Sequence, residues 1–168
     1  MLIAHLPAGY VLGAAVRGVR RSAYAVISAA LFGSVAPDLD MFYFYTLGAR
    51  QAHHHFYVTH WPLFWLALGV IVVPVVKWLR PQLTVASVVF LVAVMIHMVL
   101  DSIAAPMAWL MPFNSRTVEL VTIPAAYSHW ILSFVLHWTF ALELAICALA
   151  ALLVARNARR RRLQESGA

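Results

Sequence analysis

The sequence predicts an all-α fold, a polytopic bundle of membrane-spanning helices, and three observations carry that prediction. Of its 168 residues, 64% are hydrophobic, far above the roughly 45–50% of a soluble domain, and the mean hydropathy is +0.84. Two apolar stretches, 61–78 and 83–105, approach or reach the ~20 residues that a bilayer core requires. The basic residues gather at Arg17, Arg20 and Arg21, at Lys77 and Arg80, and from Arg156 to Arg162. Helices of bilayer length would bring these three groups to one face.

Each element follows in order. The first forty residues read as a helical hairpin, with apolar arms at 6–19 and 22–35 separated by Arg20-Arg21. Small residues fill both arms, among them Gly9, Gly13, Ala14, Ala29, Ala30 and Gly33, which allows close helix packing. Each arm is short for a full span, so the hairpin is expected inside the bundle, a single kinked helix being the alternative. The N-terminus has no charge before its apolar stretch and carries His5 and Pro7, so no cleavable signal peptide is expected. Residues 41–58 form an aromatic, histidine-rich connection. Span 61–78 contains Pro62 and Pro74, and its end at Arg80-Pro81 favours a helix break. Span 83–105 is interrupted only by His97, Asp101 and a few hydroxyls. The connection 106–127 holds Pro106, Pro112 and Pro124 and is expected along the outer interface. Residues 128–155 read as a third span, longer than needed, before a basic tail at 155–168. The whole of 1–168 is read as one membrane-embedded domain.

Net charge is +6, but Arg156 and Arg159 to Arg162 supply five of the positives. This pattern signals membrane orientation and lipid-surface contact, and no nucleic-acid partner is expected. The positive-inside rule places the three basic groups, and with them the C-terminus, on the cytoplasmic side of an inner membrane. Cys147 is the only cysteine, so no intrachain disulfide is possible.

The chain has six carboxylates, and only Glu165 stands apart from the histidines. An acid at the centre of a membrane helix costs roughly 2.5–3.5 kcal/mol on insertion scales. Acids kept beside histidines in apolar surroundings point to a metal site. Rise along straight helices, at about 1.5 Å per residue from the nearest basic group or helix start, puts His5 at ~20 Å, Asp38 and His60 at ~25 Å, His97 at ~21 Å, Asp101 at ~27 Å and His137 at ~28 Å. These residues therefore share one layer near the outer leaflet. His129 lies higher, at about 40 Å, so His137 is favoured over it.

His97 and Asp101 stand at i and i+4, which puts an imidazole and a carboxylate on one helix face. The alternative is a plain His–Asp hydrogen bond. Asp38 and Asp40 follow Pro37, where a capping turn is the competing explanation. Asp38 is the preferred ligand, and Asp40 holds a histidine or takes a proton. His53-His54-His55-Phe56-Tyr57-Val58-Thr59-His60 is the densest cluster, and an irregular turn must bring His55 and His60 together. Glu143 is a ligand, a general base or an arginine's partner. It falls about 240° around the helix from His137, so the two do not easily share an ion. Imidazoles with hard carboxylate oxygens suit zinc, with manganese as the alternative, and disfavour the soft ion copper(I). The chain has no His-Glu-x-x-His pair, no Gly-x-Ser-x-Gly elbow and no phosphate-cradling glycine loop.

The ordered set His5-x-x-x-Gly9, Pro37-Asp38-Leu39-Asp40, His54-His55-Phe56-Tyr57-Val58-Thr59-His60 and His97-x-x-x-Asp101 resembles the YdjM-like membrane-bound metal-dependent hydrolases. These are also described as LexA-binding, inner-membrane-associated hydrolases. The ligand order is similar to that of zinc-dependent phospholipase C and P1-type nucleases, although His137 and Glu143 are spaced differently from the closing His-x-x-x-Glu of those enzymes. Many YdjM-like members have His-Arg-Gly where this chain has His55-Phe56-Tyr57. The resemblance implies a hydrolase.

The expectation is thus a membrane hydrolase holding one or two divalent ions, with His5, Asp38, His55, His60, His97, Asp101 and His137 as ligands. Asp40 or Glu143 would take the proton, and the substrate would be a phospholipid or lipid-linked phosphoester. The alternatives are a metal or proton carrier, and a haem protein with His97 and His137 as axial ligands.

Overall fold

Helix α5 (Thr84–Ala104) is the axis around which the other helices are arranged. Val89, Ala93, Val94, His97, Met98 and Asp101 are buried along it, at the spacings of three and four that line one helical face. In this computed structural model residues 1, 3–17, 23–46 and 54–166 are described. The expected hairpin turn at Arg20-Arg21, together with Arg50 and His53, lies outside them.

The two hairpin arms are α1 (His5–Arg17) and α2 (Ala23–Gly33), packed on each other and on α5. Glycine is required at both contacts. A Cβ on Gly9 would come 2.7 Å from the Ala30 carbonyl oxygen, and one on Gly33 would strike the Phe90 carbonyl and lie 3.0 Å from Ala93 Cβ. Val26, Ala30 and Val89 fill the space that this close approach leaves.

After Gly33 the chain turns at 34–36, forms a short 3₁₀ turn at Pro37–Leu39, and continues as α3 (Asp40–Thr46). Proline at the first position suits a helical start, where no amide donor is needed. The bend between the apolar pieces is 54°, and it sets Asp38 and Asp40 beside the outgoing end of α5. Two further 3₁₀ turns, His54–Phe56 and Val58–His60, lead into α4 (Pro62–Leu79). A turn at Pro81–Leu83 then reverses the chain into α5. Trp65 of α4 packs with Val94, Met98, Ala36 and Met107 in the second core cluster.

The connection 105–129 is tied back onto the end of α5. Met107 pairs with Val118, and the amides of Leu120 and Val121 donate to the carbonyls of Ser102 (2.8 Å) and Ile103 (2.9 Å). The expected continuous span 128–155 is broken into α6 (Trp130–Val135) and α7 (Thr139–Ser166). His129 caps α6 by accepting from the Ile131 amide, and His137 Nδ1 accepts from the Thr139 hydroxyl at 2.9 Å. Such local side-chain bonds compete with the helical ladder. The basic tail is a continuation of α7 as far as Ser166, in keeping with the helix propensity of arginine and glutamine.

Among the described residues, three helical segments are long and apolar enough to cross a membrane: Pro62–Leu79, Pro81–Ala104 and Thr139–Ser166. The bent pair Ala23–Gly33 and Pro37–Thr46 makes a fourth if it counts as one span. The outer faces of α4 and α7 are apolar and exposed, Val70 by 75% and Leu152 by 69%, as lipid contact demands. The polytopic all-α bundle expected from the sequence is the architecture present.

Candidate metal centre

Five separate segments meet at one end of the bundle. They are the start of α1 with His5, the bend after α2 with Asp38 and Asp40, the turns before α4 with His55 and His60, the end of α5 with His97 and Asp101, and the start of α7 with Glu143. Six of these side chains converge. His5 Nε2 lies 3.0 Å from Asp101 Oδ1, and His97 Nε2 lies 3.1 Å from Asp101 Oδ2. His55 Nε2 is 3.6 Å from Asp101 Oδ2, and His60 Nε2 is 3.9 Å from it. Asp38 Oδ1 is 3.6 Å from the Nε2 atoms of both His60 and His97. The His5 and His97 rings stack with centroids 3.9 Å apart. The Met1 ammonium also contacts Asp101 Oδ1.

Among the described residues, three triads have ligand atoms within 4.8 Å of one another: His5, His97 and Asp101; Asp38, His60 and His97; His55, His60 and Asp101. All six residues are buried except Asp38, whose side chain is 35% exposed.

Two histidines are oriented from behind. His97 Nδ1 is 2.9 Å from the Ser34 carbonyl oxygen. A carbonyl only accepts, so Nδ1 carries the proton and Nε2 turns its lone pair inward. His60 Nδ1 donates to Asp40 Oδ2 at 2.6 Å, and the Thr59 hydroxyl donates to the same oxygen at 2.6 Å. Partners of this kind hold metal-ligating histidines in place and raise their basicity. His5 Nδ1 and His97 Nε2 are buried with no hydrogen bond among the described residues. Leaving such an atom unsatisfied costs about 1–3 kcal/mol. A cation facing His97 Nε2 would remove that cost there, so the donor set fits a divalent ion.

Burial opposes charge on His60, but the carboxylates of Asp38, Asp40 and Asp101 outweigh it and raise its pKa to about 9. Without an ion the ring is therefore an imidazolium at neutral pH, and an ion must displace its proton.

Several expected roles change. His137 is not brought to the cluster: its Nδ1 is engaged by Thr139, and its ring lies against Trp138. The depth argument assumed one straight helix through 128–155, and the break at 136–138 removes that premise. Glu143 is fully buried, but its Oε2 accepts from the amides of Ile3 (2.6 Å) and Ala4 (3.1 Å). Through that oxygen it anchors the stretch of chain that delivers His5. Asp40 orients His60, so its carboxylate is occupied as a support. His129 is exposed and stacks on Trp130, and Glu119 is exposed in the long connection. The haem alternative loses its geometry, because His97 Nε2 already faces Asp101 and Asp38 while His137 is engaged elsewhere.

The sequence reading missed the Ser34 carbonyl and Thr59. A backbone carbonyl leaves no trace in residue type, whereas Thr59 had a signal in its place next to His60. It also missed how His55 and His60 meet, which the paired 3₁₀ turns accomplish with ring centroids 4.9 Å apart.

No curated protein and no solved structure matches this chain. A model of the YdjM inner membrane protein family matches residues 1–163, nearly the full length. With that match and its bundle of apolar helices, the chain belongs to the YdjM inner membrane protein family.

Proposed function

We propose that this protein is a metal-dependent hydrolase of the inner membrane, with its centre toward the outer leaflet and its C-terminus in the cytoplasm. The observation that carries the reading is the convergence of four histidines and two aspartates, remote in sequence, into three overlapping triads. Two of those triads share no histidine. His5 with His97 and His55 with His60 form two pairs, and Asp101 offers an oxygen to each. Asp38 completes a donor set sufficient for one ion or two. Zinc suits it best, with manganese as the alternative.

A bound metal supplies an acidified water and polarises an ester oxygen. The chain's own groups do the rest. Ser34 and Asp40 keep His97 and His60 aimed inward, and Glu143 secures the segment bearing His5. Asp38, His55 and Asp101 border the adjoining cavity as well as the cluster, so a substrate seated there reaches the site. Beneath the cluster, Val94, Met98 and Trp65 form an apolar plug. It offers a moving ion no ligand, which favours a one-sided hydrolytic site over a carrier.

The test is elemental analysis of purified wild type beside His97→Ala and Asp101→Ala. Wild type is expected to hold one or two zinc or manganese ions per chain, and each variant to lose most of them. Unchanged metal in both variants removes the ligand assignment. Hydrolysis of phosphodiesters and lipids with added zinc, manganese or magnesium then tests the reaction class, and metal without turnover on any of them counts against it.

A further inference from the structure

We infer that the cavity over the cluster seats the chain of a lipid, with the lipid's ester group reaching the metal ligands. As a statement about substrate, this rests on the hydrolase reading above.

The cavity measures about 920 Å³, at the upper end of the ~300–1,000 Å³ found for small-molecule sites. Asp38, His55 and Asp101 form its polar floor. Its walls come from the elements that lie beside the long helices: Met41 and Phe44 of α3, Ile123 of the long connection, and Phe134 of α6. Tyr45 and Trp130 also line it and are 56% and 65% exposed. Aromatic residues with one wet edge settle at headgroup level in a bilayer. A wall of this kind beside a polar floor matches an amphiphile: the chain has apolar surface to cover, and the ester reaches the ligands.

Photolabelling tests this with the full-length, zinc-loaded protein in detergent micelles and a phosphatidylglycerol bearing a mid-chain diazirine. Label is expected within 41–45 and 123–134. Unlabelled phosphatidylglycerol should displace it, and dimethyl phosphate should not. Label mapping elsewhere overturns the inference. So does displacement by dimethyl phosphate, which has no chain. Ala104→Phe and Ala125→Trp fill the cavity from opposite sides, and each should cut labelling at least fivefold with zinc content unchanged. Full labelling in both zinc-retaining variants also overturns it. If a variant loses zinc, the wild-type competition series decides. Cavity label without hydrolysis of any glycerolipid ester supports the binding inference and removes the hydrolase reading. Turnover with label elsewhere does the reverse.

Discussion

Asp40→Asn separates the two roles that a carboxylate in this position could have. Asp40 Oδ2 accepts from His60 Nδ1 and from Thr59, both at 2.6 Å, so asparagine keeps the shape and one acceptor but removes the charge. A hydrogen bond involving a charged group contributes about 1.5–3 kcal/mol, and one decade of affinity is about 1.4 kcal/mol. Loss of that contribution predicts a fall in metal affinity of about 10–100-fold, the range expected when the group behind a ligating histidine is removed. His60 should also titrate below its present value of about 9, so proton release on metal binding at pH 8 should decrease. Equilibrium dialysis with zinc measures the affinity, and calorimetry in buffers of different ionisation enthalpy counts the protons. Wild-type affinity and wild-type proton release in Asp40→Asn would refute the supporting role. If hydrolysis alone were then lost, Asp40 would instead be the residue that takes the proton.

Three further outcomes follow from the same geometry. Glu143→Gln weakens the two charge-assisted amide bonds to Ile3 and Ala4 and should cost about 1–3 kcal/mol of stability. Thermal melts read that loss, and partial metal loss should accompany it as His5 loosens. His60 gains its raised pKa on folding, so its stabilising contribution is complete below the unfolded value of about 6.5 and is lost as pH rises through about 9. The metal-free protein should therefore melt at lower temperature as pH rises across that window. Zinc affinity should climb over the same range, by about tenfold per pH unit for each proton displaced. Gly9→Val drives a side chain into Ala30 and Ser34 and should destabilise by about 1–3 kcal/mol or more, as overpacking does. A melting temperature equal to wild type would show that α1 and α2 are not tightly apposed.

Much of the fold is legible in the residues because hydrophobicity and length are local properties. Spans 61–78 and 83–105 correspond to helices at Pro62–Leu79 and Thr84–Ala104 within two residues. The small residues of the first forty positions likewise announce a close helix pair, since only glycine and alanine allow backbones to approach so nearly. The break at 136–138 is not legible in the same way. Apolar content continues through it, and the local feature at the break is the side-chain bond between His137 and Thr139.

His97 and Asp101 were readable as partners from their i, i+4 spacing alone, because a helix fixes that geometry wherever it lies. Depth reasoning extended this to His5, Asp38 and His60, since helix rise converts sequence distance into height, and His55 came in from the dense histidine run beside His60. Height is one coordinate of three, however. It admitted His137, which lies at the right level by count but is engaged elsewhere, and it could not tell Glu143 as an anchor from Glu143 as a base. The sequence by itself determined that polar residues would collect in one layer of an apolar bundle. Only tertiary structure decided which of them face each other, because direction around a helix and the turn entering it depend on packing against neighbouring chain. For the same reason the Ser34 carbonyl and the Asp40 carboxylate emerge as the groups that aim the two histidines.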